Sequence, residues 1–223
     1  MLLESNGRRL LVDPWVRGAC RHYPKPVEVT PELFNVDAVY ITHGHFDHIH
    51  DALEIARHTS PTIVCIVETG NWLQSKGIAG ESLIASNKGG TVDVDGIKVT
   101  LVHAEHSCGI NDGDRIVYGG EACGLVIEFE NGFQVYFAGD TDVFGDMALI
   151  AELAHFDVAF LPIGGFYTMG VERAAKAAKL LGVKTVVPMH FGTFPILSGR
   201  PDQLQELVGN NIKVLDIKPG DSV

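Results

Sequence analysis

The chain has 223 residues, 46% of them hydrophobic, and a formal net charge of −11. This length and balance are typical of a globular protein with a well-filled core and exclude a largely disordered chain. The acidic charge argues against binding to nucleic acid, which requires a basic surface. No apolar run approaches the roughly 20 residues that cross a membrane, and residues 1–15 lack the basic-then-apolar order of a signal peptide.

The cysteines are too far apart in the sequence to form a C-x-x-C pair, so they resemble neither a zinc knuckle nor a redox dithiol. They are Cys20, Cys65, Cys108 and Cys123. We interpret them as reduced thiols. Without a signal peptide or membrane span, a cytoplasmic protein is the default expectation. The expected partner is a small-molecule substrate.

Short apolar runs recur along the chain and predict strands. In chain order they are residues 9–12, 38–42, 62–67, 98–102, 124–129, 134–138, 158–162, 185–188 and 214–217. Apolar residues at helical spacing from Ile49 predict a helix that begins at Asp47 and reaches Arg57, and residues 171–181 predict a second helix that Gly182 ends. Residues 111–120 (NDGDRIVYGG) predict a polar, glycine-rich loop. Strands mixed with helices predict an α/β architecture, and nothing in the sequence divides it, so we expect one domain over residues 1–223.

Four of these strands end in polar, reactive sequences. AVYI continues into THGHFDH, KVTLV into HAEHS, QVYFA into GDTD, and TVV into PMHFG. In α/β sheets, ligands and catalytic groups gather where strands deliver loops to one edge. The four endings therefore predict one site, although they are dispersed in the sequence.

The first ending has the spacing of metal ligands. His43, His45, Asp47 and His48 form H-x-H-x-D-H, which arises by chance in about one in a thousand chains of this composition. Imidazole and carboxylate together suit zinc, manganese, iron or nickel. Gly44 allows a tight backbone path between the first two histidines. The alternative is a solvated polar turn or an adventitious histidine cluster.

Further ligands are required, and the other strand ends supply them. The candidates are His106, Asp140 and His190, each of which is ordinary by itself. His103 follows the same strand as His106 and is interpreted as a packed residue. His50 extends the first cluster but is interpreted as a surface or supporting histidine. Cys108 is interpreted as a small buried thiol beside the site. His22, His58 and His155 have no motif context.

Four motifs, in this order along the chain, resemble those of the metallo-β-lactamase superfamily. They are H-x-H-x-D-H at 43–48, H-S at 106–107, A-G-D-T at 138–141 and P-M-H-F-G at 188–192. AGDTDVFGDM, LPIGGFYTMG and PMHFGTFP resemble its metal-dependent hydrolases related to L-ascorbate-6-phosphate lactonase. The resemblance implies a four-layer αββα sandwich in a single domain. Relatives begin with a further strand that carries Gly-His-Ser. Since this chain starts after that point, either its start is truncated or the strand is absent, and the expected consequence is association into a homo-oligomer or altered stability.

The resemblance also implies a ligand set and a mechanism. His43, His45 and His106 would bind one divalent metal ion, Asp47, His48 and His190 a second, and Asp140 would bridge them. Zinc is the first expectation for both, with manganese, iron or nickel as alternatives. A hydroxide shared by the metals would attack an ester, lactone or phosphoester, with Asp47 as the catalytic residue that orients it.

Other functions stay open at this point. A metal-stabilised binding or regulatory module without turnover would have a closed site. A nuclease of the same superfamily is disfavoured by the acidic charge, and an oxidative diiron enzyme by His45 at a position where that branch carries Glu. Relatives also place a carboxylate in the loop at 164–170, where this chain has GGFYTMG. That loop either shapes a substrate pocket or is a strand-to-helix turn capped by Thr168.

Overall fold

The computed structural model describes residues 1–16 and 31–222. Cys20 and His22, which the sequence analysis names, lie outside the described residues. By its internal contacts the chain divides into two compact units. Unit 1 comprises Met1–Asp95 and Ser107–Ala122, and unit 2 comprises Gly96–His106 and Cys123–Val223.

The described residues form 14 strands and six α-helices. The strands are β1 (Leu2–Ser5), β2 (Arg8–Val12), β3 (Ala38–Tyr40), β4 (Thr62–Ile66), β5 (Leu83–Ser86), β6 (Thr91–Val94), β7 (Ile97–His103), β8 (Gly109–Asp112), β9 (Arg115–Tyr118), β10 (Cys123–Glu128), β11 (Gln134–Phe137), β12 (Val158–Pro162), β13 (Thr185–Met189) and β14 (Lys213–Val214). The helices are α1 (Phe46–Ile49), α2 (Ala52–Thr59), α3 (Val67–Ser75), α4 (Met147–Leu153), α5 (Val171–Leu180) and α6 (Pro201–Val208). None of these helices has the length and apolar character that a membrane span requires.

Unit 1 is built on a sheet of strand order β1-β2-β3-β4-β5. Its first two strands form an antiparallel hairpin, and β2 to β5 run parallel. Helix α2 buries Ala52, Ile55 and Ala56, which lie three and four residues apart and so share one face. They join the core with residues of β3 and β4, such as Val39 and Ile63. The sheet therefore carries β2 and β3 side by side, with their carboxyl ends at the same edge.

Unit 2 contains strands in the order β14-β13-β12-β11-β10-β7. Strand β10 is antiparallel to both β7 and β11, whereas β11 to β14 run parallel. Strands β7, β11 and β13 therefore point in one direction. Helix α5 is rich in alanine and buries four of them against the core of this unit, with Leu204 of α6 and Met147 of α4. Because β7, β11 and β13 run in one direction, the carboxyl ends of these three strands meet at one edge of the sheet.

The mixed α/β class is confirmed, as are helix α5 and eight of the nine predicted strands. The ninth, predicted at 214–217, shares only Val214 with the two-residue strand β14. The prediction of one domain over residues 1–223 stays a prediction. The prediction of a single helix from Asp47 to Arg57 was wrong. It is broken between α1 and α2 because the N–H of Asp51 donates to the carbonyl of Pro14 (2.9 Å), outside the helical ladder. The predicted loop at 111–120 was also wrong, since β8 and β9 form a hairpin that turns at Gly113 with a positive φ of 69°.

Candidate metal centre

The H-x-H-x-D-H motif of unit 1 follows strand β3 and runs into helix α1. Gly44 lies where the backbone approaches the β8 hairpin, and a Cβ there would come within 2.3 Å of Cγ1 of Ile110. Its N–H donates to the thiol sulfur of Cys108 at 3.2 Å. A larger residue would push the motif away from this hairpin, so glycine holds its path in place.

Asp13 supports two of the motif's imidazoles, and it was not predicted from the sequence. It directly follows β2, and its Oδ2 accepts from Nδ1 of His48 at 2.8 Å and from the hydroxyl of Thr42 at 2.7 Å. Its Oδ1 accepts from the backbone N–H of Thr42 at 2.8 Å. The side chain is only 6% exposed. Buried and fully bonded, this carboxylate acts as an anchor for the motif.

The hydrogen bonds of Asp13 set the proton positions on both imidazoles. Thr42 has one hydroxyl proton and gives it to Asp13, so it accepts from Nδ1 of His43, which lies 3.0 Å from the hydroxyl oxygen. The Nδ1–H of His48 likewise donates a hydrogen bond to the carboxylate of Asp13. In both rings Nε2 therefore carries the lone pair. Neutral imidazole with a free Nε2 lone pair is the form that binds a metal ion.

The remaining donors of the motif lie beside these two rings. Nε2 of His43 is 3.0 Å from Nδ1 of His45, a separation at which two ring nitrogens share a proton or face a common cation. Nε2 of His45 is 3.3 Å from the hydroxyl of Ser107. A carboxylate oxygen of Asp47 is 3.7 Å from Nε2 of His48. Four potential ligands therefore converge within unit 1.

Unit 2 gathers the three ligands that the other strand ends predict. His106 follows β7, Asp140 follows β11 and His190 follows β13, which are the three strands that run in one direction. Oδ2 of Asp140 is 3.6 Å from Nε2 of His106 and 3.2 Å from Nε2 of His190. The Asp140 side chain is only 3% exposed. The carboxylate therefore lies between the two imidazoles at one edge of the sheet.

Close packing holds His190 in this position. Its φ is +54°, in the left-handed region that non-glycine residues seldom adopt. Its carbonyl oxygen approaches Gly164 so closely that a Cβ on that glycine would lie 2.2 Å away. Strain of this kind persists only where the surrounding structure enforces it, and it clusters at functional sites.

The donor chemistry in each unit fits a borderline divalent cation. Imidazole nitrogen with carboxylate oxygen suits zinc, and also manganese, iron or nickel. In unit 1, ligand atoms of Asp13, His43 and His48 lie within 4.8 Å of one another and so form a potential metal group by themselves. We assign Asp13 to hydrogen bonding instead, because both of its carboxylate oxygens already accept from the motif.

The structure also places the residues whose roles the sequence left open. Nε2 of His103 is 3.3 Å from a carboxylate oxygen of Glu105, and its ring packs edge-on against Phe144. His50 is exposed at the end of α1. The thiol of Cys108 donates to the carbonyl of Gly119, and burial raises its pKa. These contacts agree with the supporting or structural roles predicted for them.

The suggested capping of a helix by Thr168 was wrong. The residue at the N-cap of α5 is Gly170, and no side-chain hydrogen bond caps that helix. The hydroxyl of Thr168 is instead oriented towards the carbonyl of Met169 at 3.5 Å. The loop at 164–170 therefore has its own backbone structure, in which the N–H of Gly165 donates to the carbonyl of Met169 (3.2 Å).

Comparison with known proteins identifies the family. The model of the beta-lactamase superfamily domain matches residues 8–191, which is most of the chain. The chain belongs to this superfamily. A UPF0173 metal-dependent hydrolase of Koribacter versatilis is 52% identical over 221 residues, covering 99% of this chain and 92% of the relative. Another from Solibacter usitatus is 48% identical over 219 residues, covering 98% and 92%.

A solved structure shows the same relationship. The chain is similar to Igni18, a metallo hydrolase of the hyperthermophilic archaeon Ignicoccus hospitalis, with 37% identity and a TM-score of 0.84. The match covers 100% of this chain and 92% of that protein. With UPF0173 metal-dependent hydrolases as relatives at 48–52% identity, this chain is a metal-dependent hydrolase of the beta-lactamase superfamily. The predicted superfamily and its fold are confirmed, whereas the relation to the lactonase subgroup stays a prediction.

Proposed function

We propose that the protein hydrolyses an ester, lactone or phosphoester of a small molecule with two divalent metal ions, of which zinc fits the donors best. The donors of the two units would bind the same metal pair. One ion would be held by His43, His45 and His106, the other by Asp47, His48 and His190, with Asp140 shared between them. Manganese, iron or nickel would satisfy the same ligands.

The observation that carries this proposal is that each unit holds its own candidate ligand atoms close together, in positions suited to binding a metal ion. In unit 1, the hydrogen bonds of Asp13 and Thr42 engage Nδ1 of His48 and of His43, so that Nε2 is the nitrogen with which each ring would bind a metal. In unit 2, a buried carboxylate oxygen of Asp140 lies within 3.6 Å of two imidazoles. Burying these polar groups together is unfavourable unless they are bonded or bind a cation.

The chemistry follows from these residues. Divalent metals at such a site supply Lewis acidity and lower the pKa of water towards neutrality. We assign Asp47 as the catalytic residue: its carboxylate, 3.7 Å from Nε2 of His48, orients the attacking water and accepts its proton. Cys108 is excluded as a nucleophile, because burial raises the pKa of its thiol and both Gly44 and Gly119 occupy it with hydrogen bonds.

The proposal includes a cytoplasmic location and a small-molecule partner. The three cysteines among the described residues, Cys65, Cys108 and Cys123, are free thiols, which agrees with a reducing compartment. An acidic formal charge of −11 favours a small molecule over nucleic acid. Association into a homo-oligomer stays a prediction that sedimentation would test.

The first experiment is metal content by plasma mass spectrometry on untagged protein, combined with hydrolysis of a panel of esters, lactones and phosphodiesters. Wild type is compared with Asp140→Ala and with Asp146→Ala, an exposed acidic residue of the same unit. About two metals per chain in wild type and Asp146→Ala, a loss in Asp140→Ala and turnover of one substrate class support the proposal. Bound metal without turnover favours a binding module, and no specific metal overturns the site.

A further inference from the structure

An open cavity of about 410 Å³ lies within unit 2 next to the candidate ligands of that unit. Its polar wall consists of Glu105, Asp142, Thr168 and Arg173, and its apolar wall consists of the rings of Phe166 and Tyr167. A volume of this order is sufficient for a small organic molecule.

Backbone hydrogen bonds join this cavity to the residues that carry His106 and Asp140. The N–H of Glu105 donates to the hydroxyl of Thr141 at 2.9 Å, and the N–H of Met169 donates to the carbonyl of Thr141 at 3.0 Å. The N–H of Asp142 donates to the carbonyl of Glu105 at 3.2 Å. The cavity wall and two of the candidate metal ligands are therefore parts of the same short segments.

The cavity has a formal charge of −1, from two carboxylates and one guanidinium. Arg173 and Asp142 form a hydrogen-bonded ion pair, and the other carboxylate oxygen of Asp142 accepts from the N–H of Val143 at 2.7 Å. These contacts neutralise Asp142 and hold the guanidinium against it. The exposed carboxylate of Glu105 lies 3.3 Å from the imidazole of His103. The net negative charge of the cavity would repel an anionic group.

The apolar wall presents two aromatic rings to solvent. Phe166 is 71% exposed and Tyr167 is 59% exposed, with ring centroids 4.7 Å apart in an edge-to-face arrangement. Phe166 has a φ of +60°, an unfavourable conformation for a bulky residue. Exposed aromatic faces beside a carboxylate attract a cation through the ring quadrupole as well as through direct charge.

We propose that this cavity binds a cationic nitrogen group of the substrate, an ammonium or quaternary ammonium, between the carboxylate of Glu105 and the rings of Phe166 and Tyr167. Because Arg173 and Asp142 neutralise each other in their ion pair, the carboxylate of Glu105 is the charge that disfavours anionic substrates. The inference rests on the proposed function in assigning the cavity to the substrate of a hydrolase, and it narrows that substrate to esters or lactones with a basic or quaternary nitrogen.

The test compares binding of probes that differ in charge but share their shape. Choline is cationic, and 3,3-dimethylbutan-1-ol is its neutral counterpart. Isothermal titration on the metal-loaded protein should give a dissociation constant for choline about threefold or more below that of the alcohol. Equal binding of choline and the alcohol, or tighter binding of the alcohol, overturns the proposal.

Variants locate the binding to this cavity. Glu105→Gln removes the charge, and Phe166→Leu removes the π-face while it keeps an apolar side chain. Both should bring the dissociation constant for choline close to that of the alcohol. Glu206→Gln removes an exposed carboxylate on α6 of the same unit and serves as the control. Preference for choline that persists in both cavity variants contradicts the assignment.

Hydrolysis is measured separately, with acetylcholine and 3,3-dimethylbutyl acetate as a matched ester pair. Cation-selective binding that Glu105→Gln abolishes supports the cavity assignment even where neither ester is cleaved, and then the proposed hydrolysis of esters is the part that fails. Turnover of both esters at equal efficiency, without selective binding, supports the hydrolase and overturns the cation site.

Discussion

The two units assemble their metal-binding residues in different ways. Unit 1 takes four donors from one stretch of six residues, 43–48, on a loop and a single short helix. Unit 2 takes three donors from loops after three strands, far apart in the sequence. The contiguous set depends on a hydrogen-bond anchor, Asp13, whereas the dispersed set depends on the common direction of β7, β11 and β13.

This difference shows two ways of positioning a ligand. In unit 1 local spacing brings the imidazoles together, and a buried carboxylate then fixes their ring orientation and proton positions. In unit 2 the sheet itself defines the separation of the ligands, since its strands deliver each residue to the same edge. The first arrangement is sensitive to side-chain chemistry and the second to backbone position.

The largest expected effect tests whether both units serve one reaction. His48→Ala in unit 1 and Asp140→Ala in unit 2 should each lower kcat/KM by more than about 10²-fold, because even an outer partner of a metal ligand contributes 10- to 100-fold. The controls are His58→Ala and Asp146→Ala, which change exposed residues of the same units. Activity that survives loss of the donors in one unit would show that only the other unit performs the chemistry.

A smaller effect is expected from the anchor of unit 1. Asp13→Asn keeps a residue type that tolerates the positive φ of 50° but loses the negative charge that holds both imidazoles. Metal affinity, measured by competition with a chromogenic chelator, should fall about 10- to 100-fold. Thermal unfolding of the metal-free protein provides the control. A large loss of stability with unchanged metal affinity would make Asp13 a purely structural residue.

In unit 2 the ligand positions depend on close backbone packing, so a substitution that disturbs this packing should lower the stability of the protein. Gly164→Ala would place a Cβ 2.2 Å from the carbonyl oxygen of His190, so the backbone must shift. We expect a loss of about 1–3 kcal/mol in the free energy of unfolding, measured in urea. Gly145→Ala is the matched change, since a Cβ there meets no atom within 4 Å. Equal stability of the two variants would mean that the close approach at His190 is not enforced.

The smallest effect concerns the thiols of unit 1. Burial raises the pKa of Cys65 to about 12, so little thiolate forms at pH 8. Iodoacetamide should therefore label Cys65 in the folded protein many times more slowly than in urea, as peptide mass spectrometry would show. Labelling at the unfolded rate would indicate that the core of unit 1 opens frequently.

Much of the fold could be predicted from hydrophobic pattern. Eight of the nine predicted strands exist, because each is an apolar run of four to six residues, whereas the run at 214–217 shares only Val214 with β14. Strands β1, β5, β6, β8 and β9 were not predicted, since each has only four residues, at most one of them buried, and several carry polar residues such as Glu4 and Asp93. The break between α1 and α2 depends on a hydrogen bond from Asp51 to Pro14, 37 residues away, which no local pattern reveals.

The candidate site, like the fold, has residues that the sequence predicted and residues that it did not. The seven predicted ligands follow from motif spacing and strand ends, and each unit brings its own members together. Their union into one metal pair stays a prediction. Asp13 was missed although it follows an apolar strand as the other four endings do, because a lone Asp-Pro resembles an ordinary turn. The cavity beside Glu105 was not predicted in detail, since its wall depends on the ion pair between Arg173 and Asp142.

The division of the chain between the units has a consequence for its synthesis. Unit 1 includes Ser107–Ala122, which the ribosome delivers only after Gly96–His106 of unit 2. Neither unit is therefore a continuous fragment, and a chain stopped after Asp95 lacks the hairpin that packs on Gly44. The H-x-H-x-D-H motif would leave the ribosome after its anchor Asp13 but well before Cys108 and Ile110, so the packing around Gly44 can form only once residues 107–122 have been translated.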